Sequence, residues 1–414
     1  MKKIILIFIL VYSSITLADE VRIGMSINAP YQVEDTSGLS GSVVALMKCS
    51  LDKLETPYKI SVYPWKRSVG FLRASVVDII FSYEQNSALD SVAQFSTPLV
   101  LESWYWYWTK TLPEVNGDYH DSSIAVVLGS SQERWLADNQ YKKVHPVLSI
   151  EQALGLLSIG RVDLLLSDST QIEATSQKMG IDLGKFGREF IRFSTLGAYI
   201  SNKFIKNNPN YFALLNESIK SCEPVGSKLN KKFKSVLDTQ ARAIAKVAES
   251  SVLIESISAS NKKMDSIDFE EISKLDQTWI EERKSQSGEL IQRIMSNKLS
   301  SYLREIKTNH PNLYTEIFAM NKHGLNVGQS DITSDYWQGD ESKFINTFGL
   351  ESKEAFIDDI KYDHSTHLFQ SQISISVFKE NKAIGAITFG VNVEEALRLS
   401  SETLTTNVSR QKSP

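Results

Sequence analysis

Cysteine is nearly absent, with only Cys49 and Cys222 in 414 residues. In an oxidising compartment an even pair is a disulfide candidate, and two buried free thiols are the alternative. A bridge between them would close a long loop, worth about 4 kcal/mol in the chain-entropy model. Histidine is scarce too: His120, His145, His310, His323, His364 and His367 are too scattered for a shared metal site. The closest group, Asp363, His364 and His367, sits in an apparent turn and reads as surface polarity. No G-x-S-x-G elbow is present, and the strand-rich second half lacks the helical frame in which a glycoside-cleaving acid would sit. We therefore expect no catalytic residue, no metal and no cofactor. A net charge of -4, with Lys/Arg and Asp/Glu interspersed, argues against nucleic acid as a partner. Repeats and low-complexity tracts are missing as well.

What is there is globular: 42% hydrophobic and 23% charged residues, in a chain long enough for two or three domains. Two lysines, an apolar run from Ile4 to Tyr12 and small residues closing at Thr16-Leu17-Ala18 have the layout of a secretory signal over residues 1–18, with cleavage after Ala18. The run is shorter than the ~20 residues needed to span a bilayer, and no later segment is apolar enough to do so. No cysteine follows it, so a lipid anchor is not indicated. The expected compartment is a bacterial periplasm.

The stretch from Tyr63 to Pro98 organises the first half. It reads as a strand entering an aromatic and cationic corner at Tyr63, Trp65 and Arg67, then a short amphipathic helix, a buried strand, a polar loop and an FSTP turn. Trp65 offers a flat apolar face and Arg67 a fork of donors, the alternatives being a core aromatic and a solvated charge. Before it, an alternating strand ends at Asn28-Ala29-Pro30-Tyr31 and a helix follows; after it, Trp104, Trp106 and Trp108 share one face of a strand whose other face carries Tyr105 and Tyr107. That strand reads as a buried crossover between lobes or as a stacking platform. From Ile124 the strand-helix alternation resumes. Gly129-Ser130-Ser131 opens a helix and turns backbone N–H groups toward a cleft, for an anionic ligand group or merely as a cap. Asp168 ends a buried strand, to hold a cationic ligand group or to cap the next helix. The grammar is α/β with a largely parallel sheet.

From Leu229 the pattern turns helical, with a stripe Leu229, Phe233, Val236, Leu237, Ile244 and Val247 and a second run from Phe269 to about Ile306. These helices either rest against the strand-rich domain beyond them or form a partner surface. Beyond Pro311 period two takes over: a hairpin turning at Asn321-Lys322-His323-Gly324, a polar loop, and three further strands, giving a five-stranded antiparallel sheet preceded by a long helix. The tail 401–414 is polar.

Two resemblances cover nearly all of the mature chain. VRIGMS with Pro30-Tyr31, RASVVDIIFS, FSTPLV, LGSSQERWL and ALGLLSIGRVDLLLSD, in that order, make residues 19–233 resemble the extracellular solute-binding proteins of the amino-acid-binding type, family 3. The resemblance implies the two-lobed periplasmic-binding-protein fold and a cleft using Tyr31, Trp65, Arg67, Tyr83, Ser130, Ser131 and Asp168. The family's carboxylate-clamping Arg, shortly before the FS-x-P turn, is replaced by Leu89. Either Arg67 supplies the charge for an amino-acid-like ligand, or the ligand is of another kind, such as a polyamine or an aromatic metabolite. LIQRIMSNKLSSYLREI, the DYWQGDE loop and AITFGVNVE make the second half, within residues 234–400, similar to the PDC or Cache extracytoplasmic sensor domains. That likeness implies a helical connector, then an α+β PAS-like antiparallel sheet with a long N-terminal helix, and a second pocket at Ser334, Asp335, Tyr336, Trp337 and Asp340. Together they imply a binding protein that reports ligand to an inner-membrane signalling protein. The alternatives are delivery of solute to a permease, and a structural or interaction protein with degenerate pockets.

Overall fold

The computed structural model describes residues 20–110, 119–285, 287–363 and 365–400. The leader read at 1–18, the tail 401–414 and His364 lie outside them.

Short β-prone runs punctuated by capped helices build the first half around one mixed sheet. Across it run Tyr58–Val62, Val21–Met25, Ile79–Glu84, Phe186–Ser201, Val100–Thr109, Leu164–Asp168, Ile124–Val127 and Val144–Val147, with Ala93–Phe95 added onto Phe186–Ser201. The outer strands on both sides are parallel to their neighbours, as the strand-helix alternation demands. At the centre the sheet is antiparallel instead, because Phe186–Ser201 and Val100–Thr109 run against each other and join two lobes. The strand expected over residues 190–200 is thus longer than its sequence signal.

Each lobe has its own apolar core. In the first, Val43, Met47 and Leu51 of the helix Ser42–Asp52 and Leu215 and Ile219 of the helix Tyr211–Ser221 pack on Ile23, Ile79 and Phe81. Cys49 and Cys222 are bonded, with Cα atoms 6.1 Å apart, and fasten these two helices together. In the second lobe Trp104 and Trp106 gather Trp135, Tyr119 and Leu166. The tryptophan strand is the buried crossover: its second face, Tyr105 and Tyr107, packs beneath the helix Ile150–Ser158.

The second half is an antiparallel sheet ordered Asn326–Gln329, Tyr314–Asn321, Lys382–Val391, Phe369–Lys379 and Phe356–Ile357, with Lys361–Tyr362 also paired to Phe369–Lys379. The single strand expected over 354–362 is these two short pieces. Side chains alternate across the sheet. Ile317, Ala319, Ile387 and Phe389 face the helices Lys231–Ala248, Ser251–Lys263 and Lys298–Asn309, while Phe318, Met320 and Ala386 meet Phe344 on the other side. The helices from Leu229 onward therefore rest on this sheet. The long helix expected from Phe269 to Ile306 is broken into Phe269–Ser285, Glu289–Met295 and Lys298–Asn309. Gly288 precedes the second piece and accommodates Glu282, whose carboxylate accepts from Leu290 and Ile291 N–H at 3.1 and 2.8 Å, and Asn297 caps the third through Ser300 N–H at 2.8 Å. Apolar periodicity survives such breaks, so it overstates helix length.

Candidate functional site

A cavity of about 460 Å³ lies between the lobes of the first half. Its walls are the carboxyl ends of the parallel strands, where α/β sheets bind ligands. Residues 26–29 follow Val21–Met25, Tyr63 to Trp65 follow Tyr58–Val62, and Ser82 lies on Ile79–Glu84. The second lobe contributes Leu128, Ser130, Ser131 and Gln132 after Ile124–Val127, Leu148 after Val144–Val147, and Gln171 after Leu164–Asp168.

At the base, on the crossover strand, sits Glu102. It is 1% exposed and, among the described residues, takes hydrogen bonds from neutral groups alone: Trp104 Nε1 at 2.8 Å, Gln132 Nε2 and Gln171 Nε2 at 3.1 Å, and Asn28 Nδ2 at 3.4 Å. Burial, and then the nearby Asp168 carboxylate, holds Glu102 above the usual carboxylate range. Sequence reasoning missed this residue, although an acid inside the apolar run VLESWYWYW was a visible signal. Ser82 was missed as well. It lies at φ 67, where the register against Phe186–Ser201 shifts, and its buried hydroxyl has no hydrogen-bond partner among the described residues. A non-glycine residue in the left-handed region beside an orphaned hydroxyl is strain stored at a cleft.

Of the residues expected in the cleft, Trp65, Ser130 and Ser131 line it. Tyr83 stands behind Trp65, meeting its ring edge-on at 5.1 Å and donating from its hydroxyl to the Trp65 carbonyl at 3.1 Å. Arg67 is a correction. Pro64 starts the helix Trp65–Arg73, and residues two apart on a helix do not share a face, so Trp65 turns into the cavity while Arg67 is exposed outside its lining. Asp168 lies behind the wall: fully buried, it accepts from Ser103 N–H at 2.7 Å, Gln171 N–H at 3.1 Å and the Tyr31 hydroxyl at 2.9 Å. It caps the helix Ser169–Met179, and Tyr31 with it ties the lobes together. Gly41 makes room for this, since a Cβ there would stand 2.3 Å from the Tyr31 carbonyl oxygen. The helix opening at Ser131 is capped internally: Ser130 Oγ accepts from Glu133 N–H at 3.1 Å and Glu133 Oε2 from Gly129 N–H at 2.5 Å. The Glu133 carboxylate thus takes the place open to an anion. Leu89 is buried against Leu72 and Tyr199.

The lobes touch across the cleft mouth. Arg134 pairs with Glu84 at 3.0 Å, Glu84 N–H donates to Ser131 Oγ at 3.4 Å, and Lys66 lies 3.5 Å from Glu133. Gly129, at φ 82, lets the second lobe approach Trp65, whose Cβ would be 2.8 Å from any side chain there.

The candidate residues of the second half are differently placed. Tyr336 is buried and stacks on Trp279 at 5.5 Å; Trp337 donates from Nε1 to the His323 carbonyl at 2.9 Å. Asp276 accepts from the N–H groups of both, at 2.8 and 2.9 Å. Ser334 donates to Asp335 at 2.9 Å, burial raises the Asp335 carboxyl, and Asp340 is exposed. Both aromatic side chains are committed to holding the loop against the helix Phe269–Ser285.

No family model matches the chain, and no curated protein matches it. Among solved structures, about half of it is similar to a histidine kinase sensor domain with similarity to periplasmic binding proteins, at 16% identity, covering 49% of this chain and 90% of that one with a TM-score of 0.45. Holo ArgBP from T. maritima matches at 18% identity, covering 49% and 89% with a TM-score of 0.42. The GluR0 ligand-binding core from Nostoc punctiforme in complex with L-glutamate matches at 16% identity, covering 49% and 92% with a TM-score of 0.42.

Proposed function

We propose that this protein binds a small molecule between its lobes outside the cytoplasm and reports the bound state to a membrane signalling partner through its second half. The observation that carries this is the interlobe cavity of about 460 Å³, walled by strand ends and holding a buried acid and an orphaned buried hydroxyl. Closure of the lobes on a ligand would bend the two crossover strands. On one of them, Phe186–Ser201, Phe190 and Phe193 meet Phe233 at 5.1 and 5.4 Å, and Phe233 opens the helix Lys231–Ala248, which lies on the second sheet. A ligand that favours the closed state shifts this element by differential affinity. No helix among the described residues is long and apolar enough to cross a membrane. In this reading the signal passes to a separate membrane protein. Delivery to a permease would use the cleft but give the second sheet no part, and the aromatic contact favours reporting.

Thermal melting of the mature protein against a metabolite panel tests binding, since a ligand in excess raises stability by RT ln(1 + [L]/Kd). Hydrogen exchange with and without the compound found should then change in the helix Lys231–Ala248. No stabilisation by any compound would refute binding, and exchange unchanged outside the lobes would refute reporting.

A further inference from the structure

We propose that the cleft selects an organic amine without a carboxylate, carried on an apolar body, with Glu102 as the counter-charge of its ammonium group. The inference rests on the ligand-binding reading above and names its ligand class.

The charges around the cavity carry the argument. Among the described residues, Glu102 and Glu151 line it, and no Lys, Arg or His does. Glu151 has its own partner, Lys178 at 3.0 Å. Glu102 has only neutral donors, and among the described residues no cation stands within ion-pair distance of it. The nearby cations are engaged elsewhere: Arg134 and Arg192 both hold Glu84 at 3.0 Å, and Lys66 is at the rim with Glu133. A fully buried carboxylate without a cation is costly, and a ligand ammonium removes that cost. A ligand carboxylate would meet no counter-charge here and would keep Glu102 in its protonated form, without the charge pair that an ammonium makes. Ser82 offers a second acceptor, its orphaned hydroxyl on the same wall. Around these polar groups stand Tyr63, Trp65, Ile27, Leu128 and Leu148, a surface for an apolar body, with two aromatic rings that also attract cations. Asp168, sealed behind Tyr31, adds negative potential without touching the ligand.

The wild-type protein tests this by calorimetry with compounds of one body and different charge: phenethylamine, phenylalanine and 3-phenylpropionate, with butylamine and putrescine to vary the body. We expect an amine to bind and its carboxylate-bearing counterparts to bind at least ~10-fold more weakly. Binding should also release protons, measured in two buffers of different ionisation enthalpy. Burial, and then the Asp168 and Glu84 carboxylates that face it, favour the protonated form of Glu102 in the empty cleft, Glu84 less so for being paired with Arg134 and Arg192, and an ammonium expels that proton. Glu102→Gln should weaken amine binding by about 30-fold or more, as loss of a buried ion pair does. The inference falls if the acid or the zwitterion binds as tightly as the amine, if amine binding releases no proton, or if Glu102→Gln leaves amine affinity unchanged. It also falls, with the binding function intact, if the metabolite panel yields only neutral or anionic ligands. If no compound of any charge binds, the binding reading itself fails.

Discussion

Glu316 is 2% exposed on the strand Tyr314–Asn321, and its carboxylate accepts from Gln370 Nε2 at 2.6 Å, Gln372 Nε2 at 3.1 Å and Ser365 Oγ at 3.3 Å. Burial, then repulsion from Asp363, pushes its carboxyl to about 7, with Lys343 opposing. A raised carboxyl binds its proton more tightly in the folded chain than in the unfolded one. Its contribution is therefore complete below the unfolded value near 4.5 and is lost as pH rises through about 7. Glu316→Gln keeps the neutral form: Oε1 still accepts from both glutamines, and the new amide can donate to Ser365. We expect the variant to match wild type at about pH 4 and to exceed it at about pH 8, by on the order of 3 kcal/mol, in urea unfolding at the two pH values. Equal pH profiles for the two proteins would contradict this. Neither Glu316 nor Glu102 belongs to a recognisable motif, because a single acid in an apolar run acquires meaning only when its neighbours in space are known.

At the scale of elements, the cross-link of Cys49 and Cys222 joins helices that belong to one lobe but lie 173 residues apart in sequence. Neither helix lines the cavity, so the bridge fixes the first lobe and leaves the cleft walls free to move. Replacing both cysteines by serine should lower stability by about 2–5 kcal/mol in denaturant. Affinity for whatever ligand the melting panel identifies should change little. A large loss of affinity with stability intact would mean that the bridge shapes the cleft. The same scale explains the Arg67 correction. The turn at Pro64 decides whether Trp65 and Arg67 are read with a period of two or of 3.6, and only the second places them apart.

The molecule as a whole is held by an apolar cluster that runs without interruption from the helix Ile150–Ser158 through Tyr105 and Phe233 to Phe389 of the second sheet. Phe233 is 1% exposed at the joint between the halves. Phe233→Ala should cost about 3–5 kcal/mol, the usual loss for a buried phenylalanine. It should also let the carboxyl-terminal sheet melt apart from the lobes, giving two calorimetric transitions in place of a joint one. If the variant loses stability but still melts as wild type does, the halves are coupled elsewhere, for example where Ser227 bridges Ile360. The same variant should weaken the exchange response of the helix Lys231–Ala248 to ligand.

Much of the architecture was legible in the chain itself. Period-two runs and capped helical stripes are local, and they set the order of strands and helices, the buried tryptophan strand and the antiparallel second sheet. Local signals also flagged Trp65, Ser130 and Ser131. Three things depended on the tertiary structure. Which groups reach the cavity is a matter of direction, so Arg67 was misplaced and Asp168 proved to be sealed. Whether a charge has a partner is a sum over residues distant in sequence, so the isolation of Glu102 among Asn28, Gln132 and Gln171 could not be read from its neighbours. Strain and orphaned groups, as at Ser82, arise only where strands fixed elsewhere force a register shift.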